Sequence, residues 1–268
     1  MASAPPWQTL LRSAQPCDHI VQLHTDDGFL TRAVTQFVGA GLLAGETAVI
    51  VATPPHIRAL DAQLGLQVDV AGVRARDQLL VFDAETCLAG LLVNGQLDRE
   101  QFRGFVNAML DRAEVAGNGR VRVFGEMVNL LCSRDPEAAA ELEALWSAIL
   151  TKRSISLLCA YRLDNFDRDV HRDLLHQISR SHSHVVPVEH YERLESAVDR
   201  AYREVFGAEG DTASLRELLV AGTGPTPVMP SAQAALLALR GLRTDIADAV
   251  LERARYYYTA PFAPVLKR

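Results

Sequence analysis

The stretch VRVFGEMV at residues 121–128 is short, largely apolar and closes on a single acid, Glu126. A run apolar on both faces suits a strand of a parallel sheet covered by helices above and below. The same reading extends outward to HIVQLHT (19–25), TAVIVAT (47–53), LLVFDA (79–84) and ISLLCAYRL (155–163). Between these runs the apolar residues return at helical spacing. Phe29, Leu30, Ala33, Val34, Phe37 and Val38 share one face, as do Phe102, Phe105, Val106, Met109 and Leu110, and later Leu142, Leu145, Trp146, Ile149 and Leu150. Helix starts are marked as well. Thr53-Pro54 and Asp135-Pro136 set a capping residue before a proline at the first helical position, and Asp98 with Gln101 resembles a capping box. Strands alternating with helices predict an α/β fold: a mostly parallel sheet, right-handed crossovers, helices on both faces.

The pattern changes after residue 206. GAEGD (207–211) and GTGPTPVMP (222–230) are rich in breakers and read as turns or linkers. Around them Thr212–Val220, Ser231–Arg243 and Thr244–Tyr258 have helical periodicity, each opening on Ser or Thr. The chain therefore divides into an N-terminal segment (1–18), an α/β domain (19–206) and a small C-terminal helical extension (207–268). The apolar faces of the extension need a partner, either the sheet domain or another chain, and its Tyr256-Tyr257-Tyr258 run is a candidate contact surface. Removing 207–268 is expected to leave ligand binding intact and to abolish partner binding.

Bulk properties exclude several classes. The net charge of −6 argues against direct nucleic-acid binding, which rests on phosphate neutralisation by Lys and Arg. Cys17, Cys87, Cys132 and Cys159 stand far apart without a CxxC pair, which suits a reducing compartment and gives no disulfide framework. Cys159, inside an apolar run, reads as a structural thiol. No stretch has the length to span a bilayer or the layout of a secretory signal, so no membrane association is expected and the expected location is cytoplasmic.

In open α/β sheets, ligands bind beyond the carboxyl ends of the strands. Those ends here carry Glu126, Tyr161 and Arg162, and the turn after the first strand adds His24 and Asp26. That turn, HTDDGFL (24–30), has one glycine, no lysine and two carboxylates, so it cannot serve as a phosphate-binding loop. Glu126 has two open readings: a ligand contact in the crevice, or a buried carboxylate tied to Arg162 or to backbone N–H groups. Asp83 and Glu85 read as caps of the next helix. His182 and His184 would project to one side of an extended segment and could form an imidazole pair for a metal, with His24, Glu126 or Glu189 as a third ligand. An HxH pair is more often a polar loop or a single histidine that supports a ligand from behind.

Taken in order, HIVQLHTDDGFLTRAV, GLLAGETAVIVATPPH, LLVFDAETCL, VRVFGEMVNLL, LEALWSAIL, LLCAYRLDNF and SHSHVVPVEHYE resemble the MEDS family, the methanogen/methylotroph sensory domain of prokaryotic signalling proteins. The resemblance runs from about His19 to Glu195. It implies a RecA-like core that lacks the Walker A loop, a role in sensing small organic molecules, and an association with histidine kinases or transcription regulators. Its motif residues fall on His19, Glu46, Glu126, Tyr161 and His182. The family usually has tyrosine where this chain has His24, and tryptophan where it has Cys132.

The expected function is a noncatalytic sensor of an unknown small organic ligand, with no cofactor. The partner is a histidine kinase or transcription-regulatory protein, and the C-terminal helices offer a route to a homo-oligomer. The alternatives are a metal-dependent hydrolase built on His182, His184 and a carboxylate, or an assembly subunit.

Overall fold

The computed structural model describes residues 6–169, 174–207 and 228–260. Their elements run α1 (Pro6–Arg12), β1 (His19–His24), α2 (Asp27–Leu43), β2 (Thr47–Ala52), α3 (Pro54–Leu64), α4 (Val70–Ala75), β3 (Leu79–Asp83), α5 (Ala84–Leu91), β4 (Leu92–Val93), β5 (Gln96–Leu97) and α6 (Arg99–Ala116). They continue with β6 (Val121–Gly125), α7 (Met127–Cys132), α8 (Pro136–Leu150), β7 (Ile155–Arg162), α9 (Leu175–Ser181), β8 (His184–Val185), α10 (Tyr191–Phe206), α11 (Ser231–Ala238) and α12 (Thr244–Thr259). The sequence segments Thr212–Val220, 208–211 and 222–227 lie outside the described residues.

A six-stranded sheet in the order β3-β2-β6-β7-β1-β8 forms the centre, and every pairing in it is parallel. The five runs read as strands all join it; the sixth member, β8, was not foreseen. Because side chains alternate along a strand, each apolar run feeds two cores. Ile20, Ile50, Phe124 and Leu158 face one side, where α1 to α4 bring Trp7, Leu11, Phe37, Leu60 and Val73. Val21, Val49, Val123 and Leu157 face the other, where α5 to α9 bring Leu88, Phe102, Val106, Trp146 and Ile178. Both faces are therefore covered, as an all-parallel sheet requires.

The aspartate caps act as read, whereas Thr53 stands at the N-cap of α3 before Pro54 without a side-chain capping hydrogen bond. Asp135 accepts from the Ala138 N–H at 3.0 Å, Asp98 from the Glu100 and Gln101 N–H groups, and Asp83 from Thr86. A two-stranded hairpin, β4–β5, turns on Asn94 and Gly95 at φ 53° and 80°. Both central residues at positive φ mark the turn that joins tight hairpins, and Asn-Gly is its usual sequence.

At the amino-terminal edge of the sheet, Arg122 is buried on the α2 side. It pairs with Glu46 at 2.5 Å and donates to the carbonyls of Leu11 and Phe37 at 2.9 and 3.0 Å. Its stem passes so close to Gly41 that a Cβ there would sit 2.6 Å from Arg122 Cδ. That close approach is why the helix has glycine at this point.

After α10 the described chain folds back onto it. Leu194, Val198, Ala201 and Tyr202 of α10 meet Leu236, Leu239, Val250 and Leu251, and Phe166 and Val188 join the same cluster. Val228 exchanges backbone hydrogen bonds with Ser183 and Val185, which places it along the exposed edge of β8. Among the described residues no helix is long and apolar enough to cross a membrane.

Candidate functional site

Ligand crevices in open sheets lie where neighbouring strands send their following helices to opposite faces. Besides the β2/β3 point, where α3 and α5 go to opposite faces, this sheet has two such points. One lies between β2 and β6, followed by α3 and α7. The other lies between β1 and β7, followed by α2 and α9.

The β2/β6 point is closed by the protein's own groups. Glu126 accepts a hydrogen bond from the Thr53 N–H, and its other oxygen is 2.6 Å from His56 Nδ1. Glu126 is buried and tied to a backbone N–H, with His56 in the place expected of Arg162. The hydrogen bond to Glu126 raises the His56 pKa above its ordinary value of about 6.5. Asp27, with an oxygen 3.8 Å from His56 Nε2, acts in the same direction, whereas partial burial and Arg162 oppose it. A raised pKa in the folded state means a stabilisation complete below pH 6.5 that disappears as pH rises through the folded value. In an NMR titration the His56 midpoint is expected above that of a free histidine. Glu126→Gln should bring it down; an unchanged midpoint would show that the carboxylate does not set it.

The β1/β7 point is open. A cavity of about 540 Å³ extends from the end of β1 to the C-terminal helix, lined by Leu23, His24, Thr25, Asp26 and Phe29, by Asp164, Asn165 and Phe166, by Val188 and Leu194, and by Arg255, Tyr258 and Thr259. The volume lies in the range of small-molecule sites, and the mixture of apolar walls with a few polar groups is what such sites require. His24 is buried and its Nδ1 has no hydrogen-bond partner; Asp27 Oδ1 is 4.0 Å away. Burial lowers the His24 pKa to about 4, so the ring is neutral at physiological pH. Asp26 caps α2 through the Gly28 and Phe29 N–H groups, which lower its pKa, and Arg162 pairs with Asp27 at the rim.

A third group of polar residues is buried beneath the sheet on the α8 side. Glu143 sits at its centre, with one oxygen 3.1 Å from His19 Nε2 and the other 2.5 Å from the Tyr161 hydroxyl, which donates to it. Cys159 Sγ is 3.7 Å from Glu143 and 3.5 Å from His19 Nε2. His182 completes the group, its Nε2 3.5 Å from Glu143. Burial pushes the Glu143 carboxyl up, but His182, His19 and the Tyr161 hydroxyl outweigh it and hold the group anionic, at about 2. Burial also lowers His182 to about 4 and raises the Cys159 thiol.

The residues singled out from sequence are thus divided among separate places. His24 and Asp26 line the open cavity, and Arg162 is at its rim. Glu126 belongs to the closed point. His19, Tyr161 and His182 belong to the buried group, because His19 and Tyr161 lie on the face of the strands opposite to His24. Glu46 stands at the opposite end of β2, paired with Arg122 and, at 3.3 Å, with Arg120. Grouping it with the strand-end residues is corrected by that position. The His182/His184 pair is also separated. His184 is only partly buried and turns to Ser183 and Asp18, 2.9 and 3.8 Å away. Glu189, the suggested third ligand, pairs with Arg32. His56 and Glu143 were missed. His56 carries no motif, and Glu143 looks like the solvent side of an amphipathic helix.

Residues 18–182 match the family model described as MEDS, the methanogen/methylotroph, DcmR sensory domain. The chain belongs to the MEDS family. The MEDS match takes in all of the buried group and the strand ends, and it stops before α10 and α12, which supply the far wall of the cavity. A sensory role in signalling follows from MEDS membership. No curated protein matches the chain.

Proposed function

We propose that this protein is a noncatalytic sensor that binds a small organic molecule in the β1/β7 cavity and passes the signal on through its C-terminal helices. The observation that carries this reading is the composition of the cavity wall. One side consists of strand-end residues of the sensory domain, and the other consists of Arg255, Tyr258 and Thr259 from α12. A ligand that fills the space touches both parts at once. If its contacts differ between two arrangements of α12, it shifts their populations, which is the physical requirement for a signal.

The polar content of the cavity favours a ligand with a hydrogen-bond donor at one end and an apolar body. In the tautomer that carries its hydrogen on Nε2, the buried Nδ1 of neutral His24 presents a lone pair that needs a donor, and Phe29, Phe166 and Val188 supply apolar surface. Contacts at the rim could transmit the occupancy: Arg255 pairs with Asp164, and Arg168 lies 3.4 Å from both Asp248 and Glu252. The partner we propose is a histidine kinase or a transcription-regulatory protein, on the strength of the family's sensory role. Tyr256 is exposed on α12 and offers it a contact; the same residue would serve a homo-oligomer.

Native mass spectrometry of the full chain, compared with its denatured mass, tests the reading. The expected result is a retained small organic species in the wild type. Thr25→Trp, which fills the cavity from an exposed position, should abolish retention while leaving the melting temperature within a few degrees. A species retained equally by that variant would locate the ligand elsewhere and overturn the assignment.

A further inference from the structure

We propose that His19, Glu143, Cys159 and His182 form a buried site for a divalent transition metal of the zinc class, separate from the ligand cavity. One nitrogen from each imidazole, a carboxylate oxygen and the cysteine sulfur all lie within 4.8 Å of one another. Zinc binds nitrogen and oxygen at about 2.0–2.2 Å and sulfur at about 2.3 Å, so the edges of its tetrahedron measure roughly 3.3–3.7 Å. The triangle of His19 Nε2, Cys159 Sγ and Glu143 Oε2 has sides of 3.1, 3.5 and 3.7 Å, in or close to that range, and His182 Nε2 is 3.5 Å from the other oxygen of the same carboxylate.

The orientation of His182 points the same way. Its Nδ1 is 2.7 Å from the Ile178 carbonyl, which can only accept, so that nitrogen carries the hydrogen. In the neutral ring, Nε2 then presents a lone pair. This atom is fully enclosed, has no hydrogen-bond partner and faces a Glu143 oxygen, itself an acceptor. That oxygen already accepts from Tyr161, so the lone pair of Nε2 is left against an anionic carboxylate with no donor between them, a place suited to a cation.

The outer contacts are those of metal ligands. A ligating histidine commonly ties its other nitrogen to a carbonyl or hydroxyl, which fixes the ring. Ile178 does this for His182, and the Ser147 hydroxyl, 3.4 Å from His19 Nδ1, does it for His19. Tyr161 holds the carboxylate in turn. The charges also balance: on binding, Cys159 releases its proton to solvent, and thiolate plus carboxylate neutralise a divalent ion. Four protein ligands leave no open position, so the metal is structural. It joins β1, β7, α8 and the segment entering β8, and it gives Cys159 a role beyond filling the strand.

The test is performed on the full chain, stripped with a chelator and titrated with cobalt(II) and zinc. Stoichiometric uptake is expected, with the intense thiolate-to-cobalt charge-transfer band and the visible bands of tetrahedral cobalt. Cys159→Ser should remove the charge-transfer band. His182→Ala should weaken zinc binding by more than the roughly 10–100-fold that loss of an outer-shell partner costs. If these variants fail to fold, the Cys17→Ser/Cys87→Ser/Cys132→Ser variant keeps Cys159 as its sole cysteine and should retain the band. A folded chain that takes up neither metal, or a charge-transfer band that disappears in that triple variant, would overturn the site and leave a hydrogen-bonded network.

Discussion

Arg122→Met is expected to destabilise the folded chain by about 3–5 kcal/mol, the cost of removing one partner from a buried ion pair. The guanidinium does two jobs at once. It neutralises Glu46, which is as buried as Arg122 itself, and it satisfies the carbonyls of Leu11, Phe37 and Arg12, which tie α1 and α2 to the sheet. Methionine fills much of the same space but removes the donor that the carboxylate and the carbonyls share. Arg120, half-exposed and 3.3 Å from Glu46, compensates only in part. For a chain of this size, about 3–5 kcal/mol corresponds to a fall in melting temperature of roughly 6–20 °C. The double variant Glu46→Leu/Arg122→Met removes the orphaned charge as well and should recover part of the loss, since buried pairs exchange for apolar residues at little net cost. Thermal and urea unfolding of both variants checks this. A single variant as stable as the wild type would mean that the pair is not buried in solution.

How much of this was legible in the sequence depended on the length of each signal. The five long strands were readable because a run apolar on both faces has few other places to go. β8 was not, because His184–Val185 is too short to show any period and is held by its neighbours. The β4–β5 hairpin has a turn signal in Asn94-Gly95, but its flanking strands are only two residues long and show no alternation to support it. α1 likewise offers barely two turns of pattern.

The sites divide along the same line. Strand order decides which carboxyl ends become crevices, and no local pattern carries strand order. His24 and Asp26 were found because they follow a readable strand. His56 and Glu126 meet only because β2 and β6 are neighbours. Cys159 read as an ordinary core thiol because alternation along β7 reveals its face but not what α8 presents to it. Glu143 was invisible for the reciprocal reason: it adjoins the apolar stripe of α8, and only a polar cluster underneath makes burial there tolerable. Arg122 stood in plain view inside an apolar run, where a charge needs a partner, and Glu46 had the complementary charge. Nothing in the spacing linked them.

Truncation after residue 206 is expected to cost more than partner binding. The position of α12 argues against the expectation from sequence alone that such a fragment keeps its ligand site. Arg255, Tyr258 and Thr259 form part of the cavity wall, so the fragment has no enclosed site. It also uncovers α10. Leu194, Val198, Ala201 and Tyr202 are buried against α11 and α12, and Leu237 of α11 reaches the main core beneath the sheet. Each large apolar side chain contributes about 1.5–3 kcal/mol when fully buried. Losing Leu236, Leu239, Val250 and Leu251 from one interface therefore approaches the net stability of a typical domain, roughly 5–15 kcal/mol. Polar contacts disappear too: the Tyr202 hydroxyl loses the Ala235 carbonyl at 2.9 Å, and Arg200 loses the ring of Tyr257 at 3.9 Å. Fragment 1–206 should bind a hydrophobic dye, self-associate and melt well below the full chain, and it should retain no small molecule. Single changes in the same interface give a graded comparison: Leu251→Ala is expected to cost about 2–5 kcal/mol. A monomeric fragment with the full chain's melting temperature would mean that the helices are docked only loosely. In that case the cavity is not their shared property, and the coupling between ligand and α12 loses its physical basis.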